Sequence, residues 1–480
     1  MSIKQISIKT ISILLLYLIL FFLLFIPFWF KKKFGIVYVD QLFFHLELLF
    51  QGSLVGDAQV QKSFYKWSII TSVLSTSLYL FLKNKYLKKK NFSRLKEIVI
   101  FIFFIFISVG FNTGFFKNIN LNNKDFIANN YIFNEPISIT NNERNLIVIY
   151  VESLDFYFSN SRKFEKDLLT PLSEKSLGGV SIKNFYQIPG YSFTINSLLS
   201  TQCGIPAKPL GFFKGSDLKN IKNFLPNIKC LSDYTKELNY RNIFITSDEI
   251  ENFGVKYFLE NHNYSIENIY DLKKLYYDGY ETSQNAWRGK KNKYGGMHDD
   301  ILFEASFDII KKIKNENMPY FISIFTLDTH SPRGYPSHKC LKSQFKDPNI
   351  LKNYSIKHSV ICSVDSLSKF ILKLKILDRN TDIVIMGDHS YPDNYEKKTS
   401  IYNKFILDKD KNFNREKMNH LDFFPSFLSL LGFKLQDNRM GLGFNIFNDI
   451  NINTYDEFTF DLEQKLAGKS EKYLSFWEND

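Results

Sequence analysis

The sequence predicts an α/β protein: N-terminal transmembrane helices, then an outer domain with a mostly parallel central sheet flanked by helices. Three observations carry that expectation. Apolar runs of membrane-spanning length stand near the start, and the excess of basic charge is confined to the same region. After about residue 143, short apolar runs alternate with helical periodicity, the pattern of strands joined by crossover helices.

Composition bounds the rest. The chain has 480 residues, 45% of them hydrophobic and 23% charged, which is too apolar for a disordered protein. Four Cys in this length exclude a disulfide-scaffold miniprotein. The formal charge of +12 invites a nucleic-acid reading, but its location argues otherwise. Met1 to Asn130 holds 16 Lys/Arg against 5 Asp/Glu, and the remainder 45 against 44. Basic residues gathered around apolar runs report membrane topology, so no nucleic-acid partner is expected.

The first 111 residues read as a transmembrane anchor of three or four spans. Ser7 to Phe30 carries one charge, Lys9, and is long enough to cross a bilayer. A cleaved signal peptide would want a small-residue cleavage site, and Pro27-Phe28-Trp29-Phe30 offers none. Further spans are expected from about Phe64 to Leu82 and from Ile98 to Phe111. Residues 34 to 50, apolar with Asp40, His45 and Glu47 embedded, form a possible re-entrant or interfacial segment. Lys83, Lys85, Lys88, Lys89, Lys90, Arg94 and Lys96 lie between the second and third spans and keep that loop cytoplasmic. The chain after Phe111 is then delivered outside. Lys31-Lys32-Lys33 would also lie outside in a three-span arrangement, against the same rule. Residues 112–142, Asn-rich and aperiodic, read as a linker to an outer domain over 143–480.

In the outer domain the polar groups gather at strand ends. Asn145–Val151 is a buried-type strand followed at once by Glu152-Ser153, and Arg241–Thr246 is followed by Ser247-Asp248. Tyr320–Leu327 leads into Asp328-Thr329-His330, and Asp382–Met386 into Gly387-Asp388-His389. Helices fall between: Ile361, Val364, Leu367, Phe370, Ile371 and Leu374 share one face of His358–Leu374. The His420–Leu431 helix stops at Gly432, a fitting residue just past a helix end. Ligand groups of open α/β sheets collect outside the carboxyl ends of strands, where Glu152, His330, Asp388 and His389 all stand. One acid there is ordinarily a cap; three such strand ends in one domain point to a site. Two carboxylates and an imidazole from Glu152, Asp388 and His389 suit Zn²⁺ or Mn²⁺, and Mg²⁺ less well. Pro189-Gly190 makes a turn, after which Ser192 or Thr194 opens a helix towards Cys203. A hydroxyl at a helix N-terminus near a metal can be ionised and approach a phosphate; by itself it is an N-cap. The other histidines (His45, His262, His298, His338, His358 and His420) read as surface, capping or packing residues.

FTINSLLSTQCGIP, CLSDYTKELNYRN, TLDTHSPRGYP, DIVIMGDHSYP and GLGFNIF occur in this order between about residues 143 and 450. The set resembles the alkaline-phosphatase/sulfatase superfamily and, within it, the membrane phosphoglycerol transferases. These comprise lipoteichoic acid synthases and enzymes that decorate periplasmic glucans, and TQCGIP with the DTHSP context is most similar to the glucan branch. The resemblance implies one divalent metal ion held by Glu152, Thr194, Asp388 and His389, with Thr194 as nucleophile. It implies that His330 contacts the substrate phosphate or assists proton transfer. The Trp/Arg pair with which teichoic-acid synthases bind phosphate is missing from NFGVK at 252–256, leaving Lys256 as its substitute. The sulfatase C/S-x-P-x-R frame is absent at Cys203–Lys208.

The implied activity is transfer of phosphoglycerol from phosphatidylglycerol to a glycan or glycolipid through a phospho-threonine. The implied location is the bacterial cytoplasmic membrane, with the catalytic domain facing the periplasmic or extracellular side. Rival readings are a phosphoethanolamine transferase or a phosphodiesterase on the same scaffold, and a non-catalytic binding protein. All four Cys lie in the outer part, where oxidation is permitted. They allow three connectivities or four free thiols. Closeness in sequence and the resemblance favour Cys203–Cys230 and Cys340–Cys362.

Overall fold

The computed structural model describes chiefly residues 8–34, 58–87, 94–113 and most of 125–478; the main exceptions in the last range are 189–193, 209–220, 272–295, 392–399 and 448–461. The chain divides into two units, Met1–Asn123 and Lys124–Asp480.

The first unit contains helices α1 (Ile8–Phe34), α2 (Ala58–Leu82) and α3 (Arg94–Asn112). Two of them are long and apolar enough to cross a membrane, with mean hydropathy 2.9 over Ile11–Lys32 and 2.0 over Leu95–Asn112. α2 has the length, at 25 residues, but its Ser and Thr dilute it below that standard. Some of those hydroxyls are satisfied within the helix: Thr71 Oγ1 donates to the Trp67 carbonyl at 2.7 Å and Ser72 Oγ to that of Ser68. α2 runs antiparallel to α1. The Tyr17 ring meets Tyr79 at 5.0 Å near one end and Trp29 meets Phe64 at 5.0 Å near the other. α3 runs parallel to α1, with Phe21 against Phe101 at 5.0 Å and Ser108 Oγ donating to the Leu24 carbonyl at 2.8 Å. Lys83 pairs with Glu97 at 2.6 Å, and the Tyr17 hydroxyl donates to the same carboxylate. Most of the 34–50 segment, and Lys88–Lys90 of the basic loop, lie outside the described residues.

The second unit is built on a six-stranded sheet. Its strands are β1 (Asn145–Val151), β2 (Arg241–Thr246), β3 (Ile269–Asp271), β4 (Tyr320–Phe325), β5 (Thr381–Gly387) and β6 (Asn403–Ile406). Their spatial order is β3-β2-β4-β1-β5-β6, parallel throughout except for β6, which runs antiparallel to β5. The sheet is therefore mostly parallel, as its uninterrupted apolar strands predict.

Every residue of β1 is buried because both faces of the sheet are covered. Leu146, Val148 and Tyr150 face a core shared with α4 (Thr194–Cys203), α5 (Leu231–Glu237), α6 (Val255–Asn261) and the later helix at Phe423–Leu430. Ile147, Ile149 and Val151 face the opposite core, shared with α7 (Asp299–Lys314) and α8 (Ile356–Leu377). The α8 stripe is buried as its spacing requires, with Ile361 at its margin. The Phe423–Leu430 helix, α9, is preceded by a 3₁₀ turn at His420–Asp422 and followed by Gly432 at φ +93°.

Part of the segment expected as linker folds with this unit. Asp125 caps a short helix at Phe126–Asn130, Ile127 is buried, and Ser138–Ile139 pairs antiparallel with Phe433–Lys434. These contacts are with residues some 300 positions away, so local periodicity could not signal them. Cys203 is bonded to Cys230, joining the end of α4 to the start of α5, and Cys340 to Cys362 on α8.

Ile149→Ala should lower unfolding stability by about 2–5 kcal/mol through loss of buried methyls and the cavity left behind. Ile376→Ala, at a side chain 83% exposed, should change it by less than about 0.5 kcal/mol. Chemical denaturation followed by fluorescence compares the two.

Candidate active site and metal centre

Register brings the strand ends to one place. Val151 of β1 is paired with Gly387 of β5, so Glu152 and Asp388 leave adjacent strands at the same level. On the other side Tyr150 is paired with Phe325, which starts the Thr326–His330 loop beside them. Thr326 Oγ1 accepts from the Glu152 N–H at 3.0 Å, and the Thr329 hydroxyl donates to the Glu152 carbonyl. Glu152 is thereby held from the β4 side while its side chain meets the β5 end.

Asp388 is the hub of that end. Its Oδ1 accepts from the N–H groups of Ser153 and His389, both at 2.8 Å, and its Oδ2 accepts from Thr194 Oγ1 at 2.9 Å. Ser153 makes the turn with φ +51° and donates its hydroxyl to Glu152 Oε1 at 2.6 Å. His389 Nδ1–H donates to the Ser390 carbonyl at 3.2 Å. Its Nε2 lies 3.5 Å from Glu152 Oε1 and 3.4 Å from Asp388 Oδ2.

The donor atoms of Glu152, Asp388 and His389 all fall within 4.8 Å of one another, and all three residues are buried. Two carboxylates and an imidazole whose other nitrogen is held by a carbonyl fit a divalent cation. Burial and the charge of Glu152 push the Asp388 carboxyl up to about 6. Burial draws His389 down, but the two carboxylates outweigh it and raise the imidazole above its ordinary value. A buried carboxyl whose ionisation is opposed in this way is relieved by a cation. A second group, Cys230, Asp233 and His262, has metal-like spacing, but Cys230 is committed to its disulfide. There Asp233 caps α5 and holds His262, which also donates to the Phe224 carbonyl.

Thr194 is the first residue of α4, and this helix start carries the hydroxyl into the group. Pro189-Gly190 and Ser192, the turn expected before it, lie outside the described residues. His330 is buried in the adjacent loop, its Nδ1–H donating to the Ser331 carbonyl at 2.8 Å. Lys256 sits half-buried on α6, and no described contact joins it to the metal-like group.

Three supporting residues carry no site role in the sequence reading. His420 donates Nε2–H to the Gly387 carbonyl at 3.3 Å, and burial lowers its pKa to about 3, so the ring stays neutral. Asp328 and Asp299 knot the His330 loop to α7. Asp299 Oδ1 accepts from the N–H groups of Leu327 and Asp328 at 2.9 and 3.1 Å, its Oδ2 from Ser363, and Asp328 pairs with His298 at 2.9 Å. The two acids of GMHDD and TLDTH were the available signal, but nothing local pairs segments thirty residues apart. Burial and the charge of Asp328 push Asp299 up to about 7.

Residues 144–433 match the Sulfatase family. The chain belongs to that family. It is 27% identical over 360 residues to phosphoglycerol transferase I of Salmonella choleraesuis strain SC-B67, covering 72% of this chain and 44% of that protein. It is 28% identical over 333 residues to the protein of the same name from Escherichia coli strain 55989, covering 66% and 41%. The chain thus spans less than half the length of these two curated relatives. Among solved structures, the lipoteichoic acid synthase LtaP from Listeria monocytogenes matches with TM-score 0.50 at 16% identity, over 65% of this chain and 79% of that one. The mostly parallel sheet with helices on both faces is the fold of this sulfatase family.

A Cβ on Gly387 would stand 2.0 Å from the Leu154 carbonyl oxygen, so Gly387→Ala must displace the strand end that carries Asp388. Titration calorimetry with Mn²⁺ or Zn²⁺ should show affinity roughly 10–100-fold weaker in that variant. Asp299 gives a second test. Between its unfolded value of 3.8 and its folded value of about 7, the unfolded chain releases the proton first. Its contribution to stability therefore falls as pH rises through that window and levels off above it. Thermal melts across the window should show a flatter pH dependence for Asp299→Asn than for the native chain.

Proposed function

We propose that this sulfatase-family protein transfers phosphoglycerol from phosphatidylglycerol to a glycan or glycolipid acceptor at the outer face of the bacterial cytoplasmic membrane. The observation that carries the reading is the Thr194 hydroxyl at the start of a ten-residue helix, donating to Asp388 within the Glu152, Asp388 and His389 group. The names of the curated relatives support the phosphoglycerol group, and the ordered motifs support the same branch. Three spans anchor the chain in this reading. α2 joins α1 and α3 as a span because it packs antiparallel on α1 and exposes Trp67, Ile69, Val73, Leu74, Leu78 and Phe81. The basic loop stays cytoplasmic and the catalytic domain faces outward.

Glu152, Asp388 and His389, with Thr194 beside them, would hold one divalent cation, Mn²⁺ or Zn²⁺ before Mg²⁺ on the donor set. Bound there, it would lower the pKa of the hydroxyl and offset charge on the phosphoryl oxygens. Asp388 Oδ2 accepts the Thr194 hydroxyl, aims its oxygen, takes its proton as Oγ1 attacks and returns it when Thr194 is later displaced. Attack by Thr194 Oγ1 forms an O–P bond and breaks the ester bond to diacylglycerol, whose oxygen takes a proton from His330. The N–H groups of the first turn of α4 favour the phosphate's negative charge. An acceptor hydroxyl then displaces Thr194, giving its proton back to His330. Lys256 is the remaining candidate for contact with the substrate phosphate.

The test uses the full-length chain in liposomes carrying glycerol-labelled phosphatidylglycerol. Metal-dependent release of diacylglycerol with label trapped on the protein is expected. Both should vanish with chelator, and release should fall by roughly 10³-fold or more in Thr194→Ala. Release that survives Thr194→Ala would remove the nucleophile from the scheme. Release from phosphatidylethanolamine but not phosphatidylglycerol would change the donor.

A further inference from the structure

The basic triplet Lys31-Lys32-Lys33 follows the apolar stretch of α1. Because α2 is antiparallel to α1 and α3 parallel to it, this end of the bundle also holds the start of α2 and the end of α3 at Asn112. With the outward orientation above, the triplet lies on the side where the positive-inside rule disfavours Lys. Charges kept at an unfavoured place call for a partner.

A cavity of about 290 Å³ lies between α1 and α2 at that end. Phe25, Trp29 and Trp67 are among its aromatic walls, and Lys32, Ser63, Ser68 and Thr71 are its polar members. Ser68 is 2% exposed, and its buried hydroxyl has no hydrogen-bond partner among the described residues. Thr71 and Ser72 on the same helix donate to backbone carbonyls, whereas Thr76 shares the unpartnered state of Ser68 but lies away from the cavity lining. A buried hydroxyl left unpaired costs free energy unless a ligand satisfies it. Lys32, by contrast, is exposed, so its ammonium stands in the aqueous head-group layer while its stem borders the apolar walls.

We propose that this cavity is a docking site for one anionic glycerophospholipid of the outer leaflet. Its phosphate lies on Lys32, its glycerol or head-group oxygens on Ser63 and Ser68, and the start of an acyl chain on Phe25, Trp29 and Trp67. The volume takes a head group and the first methylenes, leaving the chains in the bilayer. The inference rests on the outward orientation and lipid donor proposed above, and deepens that reading by placing a donor-class lipid site within the membrane unit.

The test needs no turnover. Full-length Thr194→Ala protein is placed in phosphatidylcholine vesicles in which the minor lipid is brominated phosphatidylglycerol or, separately, brominated phosphatidylcholine. Quenching of Trp fluorescence is read for each. A preference of about fivefold for the anionic lipid is expected from one Lys at the membrane surface. Lys32→Arg and Lys31→Gln should keep the preference, and Lys32→Gln should abolish it. Soluble glycerophosphate should leave the quenching in place. Equal quenching by the two lipids would overturn the site, as would a preference indifferent to Lys32→Gln or lost equally in Lys32→Arg or Lys31→Gln. Displacement by soluble glycerophosphate alone would replace the lipid site with a free-phosphate one. Since no chemistry is measured, failure here leaves the transferase reading standing, and failure of the liposome assay leaves this result standing.

Discussion

A buried carboxylate at the end of a central strand needs partners, and those of Asp388 organise the rest of the site. Its two oxygens take N–H groups from Ser153 and His389 and the hydroxyl of Thr194, which draws together the ends of β1 and β5 and the start of α4. A one-residue slip of the β1–β5 register would turn Glu152 to the other face, away from Asp388, since side chains alternate along strands. Gly387 is part of the same constraint: the strand passes so close to the Leu154 carbonyl that no side chain fits.

Around this hub the polar groups are arranged in layers. Burial and the charge of Glu152 oppose the ionisation of Asp388, the electrostatic condition under which a cation is welcomed. His389 is oriented by Ser390, Gly387 by the neutral ring of His420, and the His330 loop by Asp299 and Asp328. The membrane unit follows the same rule in another solvent. The Thr71 and Ser72 hydroxyls turn back to helix carbonyls, and Lys83, Glu97 and Tyr17 satisfy one another where α1, α2 and α3 meet. Ser68 and Thr76 keep buried hydroxyls without a partner among the described residues, and of the two only Ser68 lines the cavity.

Much of this architecture is written locally. The strands at 145, 241, 320 and 381 announce themselves as uninterrupted apolar runs, because a sheet covered on both faces buries every residue. The acids and histidines directly after them are legible for the same reason: polar residues abutting such runs can only stand at strand ends. Other features left no local trace. The strand at Ser138–Ile139 exists only by pairing with Phe433–Lys434, and its Asn-rich surroundings resemble a linker. α2 shows the converse, a helix whose length is plain but whose hydroxyls lower its apolarity below that of its neighbours.

The sequence by itself determined the α/β class, the strand ends that carry Glu152, His330, Asp388 and His389, and a helix opened by Ser192 or Thr194. Periodicity and the chemistry of short segments suffice for these. Only the tertiary structure decided that the Thr194 hydroxyl reaches Asp388, that the His420 ring meets the Gly387 carbonyl and that Asp299 ties the His330 loop to α7. It also decided that Lys32 and Ser68 line one cavity. These are meetings of residues tens to hundreds of positions apart, set by strand register and helix packing, which no local pattern encodes.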